Sequence, residues 1–192
     1  MWRLVKTEFL RYLPEHSIEI GAKVPDFILV DQKDRSIRLK DLAGSPAVLY
    51  FYPMDGTEGY TKEACDFRDI YDDFKELDCV IYGISPDDKT SHASFSDEHG
   101  LPFQLCVDPD NAMIKDFGVW GEYQLADQEI EPVKNIGLQP DLENRINMVV
   151  RSTFLIDKNG LLVQKWMKVS FRGHASSVKD QLHKSFKFDI AF

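Results

Sequence analysis

Residues 47–68 read Ala47-Val-Leu-Tyr-Phe-Tyr-Pro-Met-Asp-Gly-Thr-Glu-Gly-Tyr-Thr-Lys-Glu-Ala-Cys65-Asp-Phe-Arg68. The first six residues form a continuous apolar run, which predicts a strand buried on both faces of a sheet. After a short polar segment, apolar side chains recur at helical spacing over residues 61–77. A buried strand followed closely by an amphipathic helix is typical of layered α/β proteins.

The rest of the chain alternates in the same way between predicted strands and helices. Residues 79–84 predict a second buried strand, and His174–Phe186 predicts a final amphipathic helix. Polar turns at residues 32–35 and 157–160 each separate two apolar runs, which predicts two hairpins. The expected fold class is therefore α/β, with a central mixed sheet and flanking helices.

Two segments do not fit this alternation. Residues 1–16 predict a helical extension, because a set of apolar residues has helical spacing before Pro14: Trp2, Val5, Phe9 and Tyr12. Residues 17–192 are then expected to form the main domain. Within it, residues 122–147 show no firm periodicity and predict a long excursion, which is either without a chemical role or a lid, binding loop or oligomer arm.

The composition excludes several classes of partner. The chain has 192 residues, a net charge of −9 and a pI of about 5.0, so nucleic acid and anionic membrane surfaces would repel it. Three cysteines match neither a secreted disulfide framework nor a zinc pattern. The N-terminal residues do not resemble a signal peptide. We expect a cytoplasmic protein without a metal or cofactor and without a membrane partner.

A set of short segments resembles one family in the right order: Gly21-Ala-Lys-Val-Pro-Asp-Phe27, Phe51-Tyr-Pro53, Thr61-Lys-Glu-Ala-Cys65, Arg151-Ser-Thr-Phe-Leu-Ile-Asp157 and Gly173-His-Ala175. They resemble the peroxiredoxins of the bacterioferritin-comigratory (PrxQ) type, and the likeness runs from about residue 20 to about residue 178. The resemblance implies a thioredoxin-like fold, a hydroperoxide substrate and a thioredoxin-type reductant.

The resemblance also assigns roles to individual residues. It places the peroxide-attacking cysteine of the family at Tyr60 and the resolving cysteine at Cys65. Thr57 and Arg151 would hold the peroxide oxygens, and Pro53 would shield the pocket from water. Peroxide reduction needs a thiolate that becomes a sulfenic acid, whereas a tyrosine phenol has a pKa near 10 and no comparable oxidised state. Standard peroxidase activity is therefore expected to be lost or weak.

Cys65 is the one cysteine that could substitute for the missing thiol. Five helical residues turn the chain by roughly 500° and advance it by about 7.5 Å, so Cys65 would point about 140° away from Tyr60. It could not use Thr57 and Arg151 unless the helix unwound. The other two cysteines, Cys79 and Cys106, lie in apolar runs and are expected in the core.

Two alternatives to standard catalysis remain open. The chain is either a non-catalytic binding or scaffolding protein, whose pocket is plugged by Tyr60, or a slow thiol peroxidase that works through Cys65. The binding hypothesis would use the N-terminal extension and residues 122–147 as contact surfaces. A thioredoxin-type reductant and a hydroperoxide are partners only if the protein is active, and it is expected to be a monomer or a homodimer.

Overall fold

The computed structural model describes residues 8–13, 17–135 and 138–186, with the side chain of Glu58 excepted. In chain order, the strands in these ranges are β1 (Glu8–Tyr12), β2 (Ile28–Asp31), β3 (Ser36–Arg38), β4 (Ala47–Phe51), β5 (Val80–Ser85), β6 (Gln104–Val107), β7 (Trp120–Gln124), β8 (Arg145–Val149), β9 (Ser152–Ile156) and β10 (Leu162–Met167). The α-helices are α1 (Glu58–Asp69), α2 (Tyr71–Lys75), α3 (Lys89–His99), α4 (Ala112–Asp116), α5 (Asp127–Asn135) and α6 (His174–Phe186).

The main sheet is mixed, as the sequence predicted. Its strand order is β10-β9-β4-β5-β6-β2-β3. The central strand β4 runs parallel to β5 and antiparallel to β9. Both predicted hairpins are present, as the antiparallel pairs β2–β3 and β9–β10.

The continuous apolar run of β4 is explained by its position between two cores. Ala47, Leu49 and Phe51 pack into one cluster, whose partners include Phe117 on the segment after α4 and Phe154 on β9. The alternate residues of the same segment, at positions 48, 50 and 52, pack into a second cluster with α1, α2, α3 and α6. Since successive side chains of a strand point to opposite faces, every residue of β4 is buried.

A separate three-stranded sheet has the order β1-β7-β8. The helix predicted over residues 1–16 is therefore wrong for residues 8–12, which form β1 and pair antiparallel with β7. The Phe9 ring lies 4.9 Å from that of Tyr12 and 5.3 Å from that of Tyr123. The helix prediction failed because these apolar positions are compatible with a helix, while the strand partners of β1 on β7 lie 109 to 116 residues away along the chain. Trp2, Val5 and Pro14 lie outside the described residues.

The long excursion expected over residues 122–147 also contains regular structure. It holds the end of β7, the helix α5 and the start of β8. A small core forms there from Leu125, Val133 and Ile146. The helix was missed because it is short and contains Pro132, which cannot donate a backbone hydrogen bond. Within the described part of the chain, no helix has both the length and the apolar character needed to cross a bilayer.

Close packing around β7 in the small sheet predicts the effect of one substitution. A Cβ atom at Gly121 on β7 would lie 2.4 Å from Cγ2 of Val150 and 2.9 Å from Cε2 of Phe9. We expect Gly121→Ala to lower the free energy of unfolding by about 1–3 kcal/mol through overpacking, as measured by urea denaturation. The matched control is Asn147→Ala, an exposed position on β8, for which we expect a change within about 0.5 kcal/mol. Equal stability of the two variants would contradict the described packing of β1 on β7.

Candidate functional site

The first turn of α1 is built on the segment that follows β4. Pro53 is buried in this segment, and Thr57 is the N-cap of the helix. The backbone carbonyl of Thr57 accepts hydrogen bonds from the amides of Tyr60 at 3.2 Å and Thr61 at 2.9 Å. The Thr57 hydroxyl is buried and has no hydrogen-bond partner. It is therefore a polar group available to a ligand that enters this turn.

Arg151 is brought to the same turn by the pairing of β4 with β9. Phe51 at the end of β4 pairs with Ser152, so the preceding Arg151 lies beside the segment that leads into α1. Its guanidinium carbon is 4.3 Å from the centroid of the Tyr60 ring and 5.5 Å from that of Phe171. The structure thus brings together Tyr60 and Arg151, which are 91 residues apart in the sequence.

The contact between Tyr60 and Arg151 is a cation–π interaction on a largely buried pair. Only 13% of the Arg151 side chain is exposed. Burial raises the pKa of the Tyr60 phenol above its usual value, and this effect outweighs the opposite influence of Arg151. Tyr60 is therefore a neutral phenol at physiological pH. A cation over an aromatic face contributes about 0.5–2 kcal/mol, depending on how far it is desolvated.

Glu63 is a site residue that was missed from the sequence. It is 1% exposed, and its Oε2 lies 3.3 Å from Nε of Arg151. Its Oε1 lies 4.0 Å from Nε2 of His174, which makes a 2.8 Å hydrogen bond with the Thr153 hydroxyl. A signal was present, because Tyr60 and Glu63 are three residues apart on α1 and so share a face. Two segments that carry the family likeness also supply its neighbours. Residues 151–157 contain Arg151 and Thr153, and residues 173–175 contain His174.

The protonation states of Glu63 and His174 follow from their buried environment. Burial raises the pKa of Glu63 to about 7, even though Arg151 lowers it. Burial also lowers the pKa of His174 to about 4, and Arg151 adds to the effect. Near neutral pH, Glu63 is thus divided between its protonated and ionised forms, while His174 is neutral. Neither oxygen of Glu63 has a hydrogen-bond partner.

Cys65 is placed on a different face of α1. Its half-buried thiol lines a cavity of about 640 Å³ together with Thr61 and Phe171, and the lining of this cavity includes neither Tyr60 nor Arg151. All three cysteines of the chain are free. Cys79 and Cys106 are buried in the core, and burial raises the pKa of Cys79 to about 12 and that of Cys106 further. Cys65 is therefore the accessible thiol of the chain.

Within residues 8–13, 17–135 and 138–186, no group of three or more His, Cys, Asp or Glu side chains is arranged to hold a metal ion.

Comparison with known proteins identifies the family. A model described as the AhpC/TSA family matches residues 20–165. The peroxiredoxin Bcp of Bacillus subtilis is 41% identical over 166 residues, which cover 86% of this chain and 96% of the relative. The chain belongs to the peroxiredoxin family, in its Bcp/PrxQ group. A putative peroxiredoxin bcp of Coxiella burnetii is 37% identical to this peroxiredoxin, over 86% of its chain and 99% of the relative.

Solved structures agree with this assignment. The bacterioferritin comigratory protein of Xanthomonas campestris superimposes with a TM-score of 0.73 at 32% identity, covering 87% of this chain and 99% of that structure. The peroxidoxin BcpB of Mycobacterium tuberculosis gives a TM-score of 0.71 at 30% identity, covering 88% and 98%. The thioredoxin-like fold and the peroxidase family predicted from the sequence are thus confirmed for this peroxiredoxin.

The buried carboxyl group predicts a pH-dependent stability. Because the pKa of Glu63 rises on folding from about 4.5 to about 7, the native state binds more protons than the unfolded state in this window, so stability falls as pH rises through it. Glu63→Gln has no carboxyl group to ionise, so it does not lose unfolding free energy in this way as pH rises. We expect the difference in unfolding free energy, variant minus native, to increase by on the order of 2–3 kcal/mol between about pH 5 and about pH 8.

Urea denaturation at several pH values measures this difference. His174 is present in both proteins, so its own titration largely cancels in the subtraction. Glu98→Gln, at an exposed position on α3, is the matched control for the change from Glu to Gln. A flat profile for Glu63→Gln would mean that the carboxyl is not held in its buried position.

Proposed function

We propose that this peroxiredoxin has lost the standard peroxidase activity of its family and acts as a non-catalytic binding protein. The observation that carries the proposal is the phenol ring of Tyr60, which lies 4.3 Å from the guanidinium carbon of Arg151. By resemblance, this is where the attacking thiolate of a peroxiredoxin stands. In this chain the cation faces an aromatic ring in place of a sulfur atom.

A phenol does not replace that thiolate chemically. Reduction of a hydroperoxide requires a nucleophile that attacks one oxygen of the O–O bond and retains it as a reversible oxidised group. Tyr60 is kept neutral because burial raises its pKa, and its oxygen has no state that corresponds to a sulfenic acid. The site as it stands therefore lacks the central step of the reaction.

The rest of the pocket supports an otherwise intact peroxide site. The Thr57 hydroxyl is unpartnered, Arg151 is ordered by Glu63 and Phe171, and Pro53 is buried in the segment before α1. By resemblance, Thr57 and Arg151 would hold the peroxide oxygens and Pro53 would shield the pocket from water. The missing element is the sulfur atom at position 60, which makes the proposal directly testable by restoring it.

We expect Tyr60→Cys to create peroxide turnover. The measurement is hydrogen peroxide consumption coupled to NADPH oxidation through thioredoxin and thioredoxin reductase. Turnover should exceed that of the native chain by at least about 10³-fold, since removing a covalent nucleophile from an enzyme costs on the order of 10⁶. Tyr60→Ser is the matched control, because it removes the ring without supplying a sulfur, and it should remain inactive.

Two outcomes would contradict this proposal. One is a native chain that already turns over peroxide as fast as Tyr60→Cys. The other is a Tyr60→Ser variant that becomes active, because the ring would then be a steric plug over a nucleophile elsewhere. If the Tyr60→Cys variant folds but stays inactive, Thr57 and Arg151 no longer form a peroxide site.

A second candidate function is a slow thiol peroxidase that works through Cys65. One observation favours it: the half-buried thiol lines a cavity of about 640 Å³. The pKa of Arg68 is raised first by its hydrogen bond to Asp69 and further by Cys65, which places the cation close to the sulfur.

The second candidate predicts a specific loss. Any slow peroxide consumption by the native protein should vanish in Cys65→Ser and persist in Cys79→Ala, which removes a buried thiol from the core. The same coupled assay, run at high protein concentration, measures both variants. Residual consumption that is equal in Cys65→Ser and in the native chain would exclude Cys65 as the working thiol.

The remaining expectations about this protein are part of the same proposal. Residues 17–192 form its peroxiredoxin domain, and it is a monomer or homodimer of the cytoplasm. Three free cysteines support a reducing compartment. A hydroperoxide and a thioredoxin-type reductant are its partners only where a thiol at position 60 or at Cys65 reacts. The small sheet β1-β7-β8, with Leu10 42% exposed, offers a contact surface for a binding role.

A further inference from the structure

Three tyrosine rings form a continuous chain from the surface into the core. The ring centroids of Tyr60 and Tyr52 are 6.2 Å apart, and the rings of Tyr52 and Tyr50 are stacked at 5.4 Å. Both separations lie within the range of about 4.5–7 Å that is found for aromatic rings in contact. Tyr60 is half-buried, whereas Tyr52 and Tyr50 are each 1% exposed. Solvent therefore reaches this tyrosine chain at Tyr60.

Tyr52 differs from the other two tyrosines because its hydroxyl group is bonded to a carboxylate. It donates a 2.7 Å hydrogen bond to Oδ1 of Asp55. The Tyr50 hydroxyl is buried and has no hydrogen-bond partner. The carboxyl group that influences Tyr60 belongs to Glu63, and neither oxygen of Glu63 has a hydrogen-bond partner. Tyr52 is thus the member of the tyrosine chain whose phenolic proton has a carboxylate acceptor in place.

Asp55 is held in the right state to accept that proton. Its Oδ2 accepts a 2.8 Å hydrogen bond from the Ser91 hydroxyl and lies 2.8 Å from Nδ1 of His92. Burial acts to raise the pKa of Asp55, but its hydrogen bonds, with that of His92 first, hold this pKa below its usual value. The carboxyl group is therefore ionised at neutral pH. Only 6% of its side chain is exposed, so a proton that it accepts is shielded from water.

Arg151 influences where an oxidised tyrosine is stable. Its guanidinium carbon lies 4.3 Å from the centroid of the Tyr60 ring, and a cation at this distance opposes a second positive charge on the ring. Loss of an electron from Tyr60 therefore requires loss of its phenolic proton as well. Tyr52 can pass its proton to Asp55 within the protein, whereas Tyr50 has no acceptor. The oxidised state is thus favoured at Tyr52 over both of its neighbours.

We propose that the tyrosine chain reacts with soluble one-electron oxidants and holds the oxidised state as a neutral tyrosyl radical on Tyr52. The oxidant takes one electron from Tyr60, whose phenolic proton is released to solvent. Tyr52 then reduces Tyr60 by one electron, and Tyr60 regains a proton from solvent. The phenolic proton of Tyr52 moves to Asp55. In total, the oxidant gains one electron, Tyr52 loses one electron and one proton, and Asp55 gains that proton.

This inference goes beyond the proposed function and does not rest on it. The reaction consumes no hydroperoxide and uses no sulfur atom. It depends on the phenol at position 60, because a cysteine there would interrupt the tyrosine chain at its surface end. The same side chain that prevents thiolate chemistry thus connects the buried Tyr52 to solvent.

The test uses the full-length native protein and photogenerated ruthenium(III) tris(bipyridine), an outer-sphere one-electron oxidant. Samples frozen after the flash are measured by electron paramagnetic resonance at high field. We expect a persistent tyrosyl radical whose phenoxyl oxygen accepts a hydrogen bond from the newly protonated Asp55. Such a hydrogen bond lowers the largest component of the g-tensor relative to a phenoxyl radical without a partner, so the spectrum reports the proton transfer directly.

Three Tyr→Phe variants locate the radical, because each keeps its ring and removes the hydroxyl group. Tyr52→Phe should abolish the persistent signal. Tyr60→Phe should strongly lower its yield, since this ring can no longer be oxidised in place of Tyr52. Tyr71→Phe is the matched control and should leave the signal unchanged. Tyr71 is also half-buried, but Phe103 separates its ring from that of Tyr50.

Asp55→Asn tests the proton acceptor, because it preserves the size of the side chain and removes the carboxylate. The radical should then form in lower yield and decay faster than in the native protein. Circular dichroism establishes that each variant is folded. If Asp55→Asn does not fold, the g-tensor of the native radical and the Tyr→Phe variants still decide between proton transfer to Asp55 and its absence.

Four outcomes overturn the proposal. The first is a native protein that forms no persistent tyrosyl radical, and the second is a native radical whose g-tensor shows no hydrogen bond. The third is a signal that survives in Tyr52→Phe, which would place the radical elsewhere, with the half-buried Trp120 and Trp166 as the alternatives. The fourth is an equal yield in Tyr60→Phe and in the native protein, since the oxidant would then reach Tyr52 without the tyrosine chain.

Discussion

The antiparallel pairing of β4 with β9 is the constraint on which the site depends. It places Phe51 opposite Ser152, so that the segment leading into α1 and the Arg151 side chain emerge at the same end of the sheet. The pairing is held by burial on both faces, because each residue of β4 packs into one of two cores. A change in this register by one residue would exchange the two faces of the strand and move Arg151 away from α1.

Once Arg151 is held there, its charge has to be compensated. It is 13% exposed, and its acidic neighbour Glu63 is 1% exposed. Because burial raises the pKa of Glu63 to about 7, this carboxyl is only partly ionised at neutral pH and provides incomplete compensation. The electron-rich face of Tyr60 adds a favourable interaction with the cation without adding a formal charge. A neutral aromatic ring is thus electrostatically compatible with this pocket, although it cannot perform the chemistry of a thiolate.

The sequence predicted those parts of the fold whose patterns arise locally or from complete burial. The apolar run of β4 and the two hairpin turns follow from rules that act within a few residues. The strand β1 could not be predicted this way, because its partner β7 lies far along the chain. Glu63 and His174 were missed for a related reason. Their roles depend on a buried environment that forms only when α1, α6 and β9 meet, whereas Tyr60, Thr57 and Arg151 were found through resemblance.

The two faces of α1 carry different functional side chains. Tyr60, Glu63 and Phe67 face the core and the Arg151 pocket, while Lys62 and Cys65 line the outer cavity. A pair of sulfurs on these two faces could meet only if the helix unwound, because about 140° of rotation separates them. With a phenol at position 60 there is no second sulfur to meet, and the buried side chains keep the first turns of the helix in place. Whatever Cys65 reacts with must therefore approach from solvent, through the cavity, toward a helix that remains folded.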